Sequence, residues 1–249
     1  MEEPIGSGGA SKADSLAQAV NRLIRNLVLQ CQRGEQIRDY YHLGLIGYGA
    51  SVGSIFGGDL TGHDLVPISS VADYPLRLVR ETVPGSPDLG LDMPVWLQPV
   101  AKGGTPMVQA IDTAGAIVVG WANEHFDSFP PIVVNVSDGA ATDGDPRSIA
   151  EQLRNVHTKD GPVLLFNVNL SSAPGPAVQY PNTPRDLPDA YARTLFEMSS
   201  ELTPYMVAVA RGMGLAVDVG ARGFVFNADS GTLSEFLDVG TRVSQVADR

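Results

Sequence analysis

The stretch PPIVVNVSDGAATDGD, residues 130–145, sets three aspartates after one apolar run, with Asp138 directly behind the run and Asp143 and Asp145 in the glycine-rich turn that follows. Carboxylates grouped in this way hold a hard cation, exchange protons as acid and base, cap a helix, or stay solvated. A second oxygen donor in a defined setting is Thr105, in KGGTPM, where Gly103 and Gly104 let the backbone turn tightly and Pro106 opens a helix. A threonine hydroxyl together with a carboxylate is the donor type that Mg²⁺ takes. The competing use is structural, with Thr105 capping its helix and Asp138 its turn. For Asp143 and Asp145 that use is preferred, because Asp145 followed by Pro146 is a suitable cap and first-turn pair for the next helix.

Other motifs carry chemistry less well. Gly49-Ala50-Ser51-Val52-Gly53 matches the G-x-S-x-G pattern of a hydrolase nucleophile, but the glycine-rich SIFGGDLTG that follows is no helix, and no histidine lies beyond His157. The same glycines imitate a dinucleotide fingerprint at altered spacing. GSGGASKA is a near-miss to a phosphate loop: Gly6 and Lys12 are spaced correctly, yet Ser11 replaces a glycine and Ala13 the metal-binding hydroxyl. His42, His63, His125 and His157 are scattered without ligand spacing, so zinc is not expected. The single cysteine, Cys31, lies next to Leu27 and Val28 in the pattern of a core thiol and excludes an internal disulfide.

These residues must be positioned by a fold. With 249 residues and 43% hydrophobic content, one large α/β domain covering 1–249 is expected. A net charge of −11 repels phosphate backbones and anionic membranes, so nucleic acid and membrane are not expected partners. There is no apolar run of about 20 residues, and the opening MEEPIGSGGASKAD lacks the regions of a signal peptide, so the expected setting is the cytoplasm. Apolar spacing predicts a helix over KADSLAQAVNRLIRNLVLQC, with Ser11 as cap and Gly34 as stop. Short strands are predicted in YHLGLIGYG and LVPIS, and 72–98 reads as a surface excursion. Then follow a helix in TPMVQAIDTAGAIVVGWANEH, strand PIVVNV, helix PRSIAEQLRNVH, strand PVLLFNVNL, helix DAYARTLFEMSSEL, strand GFVFNA and helix TLSEFLDVGTRV. Runs such as PVLLFNV fit strands covered on both faces, which predicts a doubly wound, mostly parallel sheet with its site at the carboxyl ends of the strands.

GGTPM before a helix, FPPIVVNVSDG with TDGD, GPVLLFNVNLSS, LFEMSSEL, GARGFVFNAD and FLDVGTRVS together resemble a bacterial von Willebrand factor type A (vWA) domain. More specifically, they resemble intracellular vWA proteins of the kind linked to tellurium resistance and stress signalling, and the resemblance covers nearly the whole chain. It implies a doubly wound, Rossmann-like fold and a metal-ion-dependent adhesion site, with Thr105 and Asp138 at the matching positions. It further implies Mg²⁺ or another divalent cation, a protein partner that offers an acidic ligand residue, and no catalysis. The Asp-x-Ser-x-Ser loop of the family and the central first strand before it have no counterpart here; Ser7 and Ser11 lie at the wrong spacing. A chain starting at an internal methionine is the simplest account and a metal-free relative the rival. The alternative function from another class is a serine hydrolase centred on Ser51.

Overall fold

Ser11 accepts the Asp14 N–H on its hydroxyl while the Asp14 carboxylate accepts the Ser11 N–H, and this reciprocal cap starts α1 (Lys12–Cys31) at the expected residue. The computed structural model of the chain describes residues 11–83, 86–100, 103–170 and 175–241, without the side chains of 81–83, 86–89 and 230. α1 ends at Gln32, and Gly34, at φ 64°, turns the small hairpin of β1 (Gln32–Arg33) and β2 (Gln36–Ile37) instead of closing the helix.

The next segment is a layer of short antiparallel pairs. β3 (His42–Leu43) pairs with β6 (Val66–Pro67), and β4 (Ile46–Tyr48) with β5 (Val52–Ser54). After β6 come α2 (Ile68–Asp73) and a longer hairpin of β7 (Arg77–Val83) and β8 (Ser86–Val95). The expected surface excursion is thus a hairpin with Leu78 and Leu91 exposed, and its returning end is anchored by buried Trp96, whose indole N–H donates to the Val71 carbonyl at 2.6 Å. Ile24, Leu27 and Cys31 of α1 pack with Phe56, Ile68 and Trp96 into one core. Burial pushes the Cys31 thiol up to about 11, as expected of a core cysteine.

The rest of the chain runs α3 (Met107–Glu124), β9 (Ile132–Ser137), α4 (Arg147–Arg154), β10 (His157–Thr158), β11 (Gly161–Pro162), β12 (Leu164–Asn169), β13 (Val178–Gln179), α5 (Ala190–Met198), α6 (Pro204–Gly212), β14 (Phe224–Phe226) and α7 (Ser230–Thr241). β10 and β11 form a minor antiparallel pair, whereas the main sheet has the order β13-β14-β12-β9. β9, β12 and β14 are parallel and β13 is antiparallel. Residues alternate across this sheet. Leu164, Phe166 and Val168 join Ala19, Met206 and Phe236 on one face, while Val163 and Leu165 meet Ile111, Leu153 and Leu195 on the other. The architecture is mixed α/β, with helices packed on both faces of a four-stranded mixed sheet. The expectation of a mostly parallel sheet is corrected in one respect. The strands of the YHLGLIGYG and LVPIS segments, each only two or three residues long, pair locally and antiparallel instead of extending the main sheet. Among the described residues, no helix is long and apolar enough to cross a membrane.

Candidate functional site

Beneath the carboxyl ends of β9 and β12 the sheet turns from apolar to polar on its α3 face. Asn135, Ser137, Asn167 and Asn169 are all buried there, in the alternating positions of IVVNVS and LLFNVN. A hydrogen-bonded chain crosses the sheet at this level. The Tyr48 hydroxyl donates to Asn135 Oδ1 at 2.6 Å, Asn135 Nδ2 to Asn167 Oδ1 at 2.9 Å, and Asn167 Nδ2 to Ser199 Oγ at 3.0 Å. Ser199 Oγ then donates to the Leu195 carbonyl at 2.8 Å. Every link satisfies a buried polar group, so the chain stiffens the floor of the site and ties the β4–β5 hairpin, which carries Tyr48, to the sheet. Burial raises the Tyr48 phenol far above its ordinary range, which keeps it a proton donor. The phenol of half-buried Tyr191, beside Ser137, is pushed up to about 12 by the loss of solvent around it.

Above this floor two loops interlock. The Thr105 N–H donates to Thr142 Oγ1 at 3.0 Å and the Thr142 N–H to the Thr105 carbonyl at 2.9 Å, joining the threonine loop to the aspartate loop. The Thr105 hydroxyl lies beside the residue after Asp138, 3.7 Å from where a Cβ on Gly139 would stand. Thr105 does not cap α3. The cap position is Pro106, which makes no side-chain cap bond, and the first free N–H groups of the helix are taken by Asp143 from the other loop: Val108 at 3.1 Å and Gln109 at 2.9 Å. Asp143 is therefore a cap, as expected in kind, but of α3 and in trans. Asp145 accepts the Arg147 N–H at 3.1 Å and pairs with its guanidinium, which holds the Asp145 carboxyl below its ordinary range. The formal cap of α4 is Pro146, one residue later than expected.

Gly103, at φ 87°, sits against the turn of the β4–β5 hairpin, where a Cβ would come within 2.7 Å of Ala50 Cα. At Gly104 a Cβ would lie 3.0 Å from Thr142 Oγ1. The threonine loop is thus wedged between a hairpin turn and the aspartate loop. Gly103→Ala is expected to cost about 1–3 kcal/mol, through the left-handed backbone and the clash with Ala50, and to displace Thr105. Chemical denaturation and a Thr105 amide NMR shift check this; an unchanged midpoint and shift refute it.

Asp138 is half-buried and meets the ammonium of Lys12, on the first turn of α1, at 3.9 Å, the lysine side chain being only 6% exposed. The Thr105 hydroxyl and the Asp138 carboxylate are hard oxygen donors of the type a divalent cation takes, although two donors fill only part of an octahedral shell and Lys12 already stands against one of them. Among the described residues no group of three or more His, Cys, Asp or Glu side chains could hold a metal. A cavity of about 270 Å³ opens beside the loop, lined by Met107, Ala141, Pro146, Tyr191 and Leu195 among others.

The competing motifs fare differently. Ser51 lies in the hairpin turn between β4 and β5, where the Gly49 N–H donates to its carbonyl at 3.1 Å, so the strand–turn–helix elbow of a hydrolase is not formed. Of the phosphate-loop residues, Lys12 goes to Asp138, and Gly6 lies outside the described residues. Two of the histidines that look scattered in sequence, His42 and His125, are brought together, with ring centres 5.2 Å apart. No family model, curated protein or solved structure matches the chain.

Proposed function

We propose that the chain is a vWA-like, metal-dependent protein-binding module without catalytic activity, its doubly wound fold presenting Thr105 and Asp138 to a partner. The observation that carries this reading is the double hydrogen bond between Thr105 and Thr142, 37 positions apart, which joins the threonine loop to the loop that begins at Asp138. Mg²⁺, when bound, supplies the Lewis-acid point on which an acidic residue of the partner docks. Thr105 and Asp138 would hold it. Gly103 and Gly104 shape the threonine loop, and Asp143 fixes the N-terminal end of α3, so that both donors stand on a preformed frame. The cavity beside the loop is large enough to take an apolar side chain flanking the acidic one.

Calorimetric titration with Mg²⁺ separates the roles of the three aspartates. Asp138→Asn is expected to abolish the binding heat. Asp143→Asn and Asp145→Asn are expected to leave affinity nearly unchanged, because their carboxylates are engaged with α3 and with Arg147, and asparagine caps about as well as aspartate. Equal losses in all three variants would show that the carboxylates act as one cluster, and no heat in the unsubstituted chain would end the metal reading.

A further inference from the structure

At the opposite end of α3 from Thr105 lies a group that the adhesion-type reading does not use. Trp121 and His125 are one turn apart on the last turns of α3, with ring centres 4.7 Å apart at 33°, and His42 of β3 meets His125 at 5.2 Å and 37°. His42 also lies 6.2 Å from Trp121. Neither imidazole makes a side-chain hydrogen bond to any described residue, so the nitrogens of both rings are uncommitted there. An 18-residue helix is about 27 Å long, which keeps this group well apart from the threonine and aspartate loops.

We propose that His42 and His125 form a two-imidazole site for a borderline divalent transition-metal ion of the zinc, nickel or copper(II) class, with water completing the shell. A metal–nitrogen bond of about 2.0–2.1 Å, added to the roughly 1.1 Å from a ring nitrogen to its ring centre, places each centre about 3.2 Å from the ion. Two such radii at the tetrahedral angle set the centres about 5.2 Å apart, which is the separation observed. Imidazole suits this class of ion, whereas the oxygen donors at Thr105 and Asp138 suit Mg²⁺, so the two sites select different metals. The indole of Trp121, tilted against the His125 ring at 4.7 Å, restrains that ring and reduces the ordering cost of binding. Metal at this point would clasp β3 of the short-strand layer to the C-terminal end of α3.

Trp121 is a built-in reporter. Copper(II) added to the full chain is expected to quench its fluorescence saturably, and zinc to give calorimetric heat and raise the thermal midpoint. His42→Ala and His125→Ala should each weaken binding by about tenfold or more, because losing one ring removes the chelate. Trp121→Phe should abolish the quench and keep the zinc heat, which separates this site from effects at Trp96. Asp138→Asn should leave zinc binding unchanged, so failure here and failure of the Mg²⁺ reading are distinguishable. The proposal is overturned if either single histidine variant, folded by its melting curve, binds zinc and quenches with copper(II) as the unsubstituted chain does, or if that chain gives neither signal.

Discussion

Replacing Phe166 with alanine is expected to cost about 3–5 kcal/mol, a large share of the roughly 5–15 kcal/mol that holds a domain folded. The ring, 1% exposed on β12, packs edge-on to Phe236 of α7 at 6.0 Å and 71°. Its position is shaped by two residues without side chains. A Cβ on Gly223 would come within 2.6 Å of the ring, and one on Gly240 within 3.6 Å. Neither glycine can move a side chain into the space left by the phenyl group, so the cavity persists, and its cost adds to the lost transfer energy. Urea denaturation should show a lower midpoint at an unchanged slope. A loss below about 1 kcal/mol would mean that α7 collapses onto β12, contrary to a close-packed interior.

The second large effect is expected at β9. Among the described residues this strand pairs only with β12, through carbonyls such as Pro131 and Ser137, which accept from Leu164 and Leu170. By the alternation of a parallel ladder, the N–H and C=O groups of Ile132, Val134 and Val136 point the other way. The Tyr48 hydroxyl oxygen, whose one proton is shared between Asn135 and the Val136 carbonyl, lies 2.8 Å from that carbonyl and covers one end of that edge. An apolar strand with an open edge is a template for pairing with another chain. The chain is therefore expected to associate as its concentration rises. Val134→Pro, which removes an outward N–H where proline is tolerated, should hold it monomeric. Sedimentation velocity over a concentration series reads this directly. If the proline variant associates equally, another segment covers β9.

Asp143 shows where local reading stops. Its capping role follows from residue type, since a short carboxylate beside a helix start satisfies free N–H groups. The helix that it caps lies 35 positions upstream, and only the meeting of two loops decides that. The ladder of Asn135, Ser137, Asn167 and Asn169 was legible as polar residues at every second position in two apolar strands. α6 lacked a strong periodic signal, and its start is set by the Thr203 cap and Pro204.

By itself the sequence determined what depends on neighbours a few residues away. α1 begins at Lys12 because Ser11 and Asp14 cap each other, and β9 and β12 are strands because their apolar runs are too short for helices and, in β9, mostly β-branched. Tertiary structure alone decided which distant groups share a place. It set Lys12 against Asp138, wedged Gly103 onto the β4–β5 turn, kept the short strands out of the main sheet, and brought His42 to His125. The reason is physical. Helix caps and strand alternation are settled by bonds and sterics along the chain, whereas these meetings depend on how whole elements pack to bury apolar surface, a quantity that no short window of sequence contains.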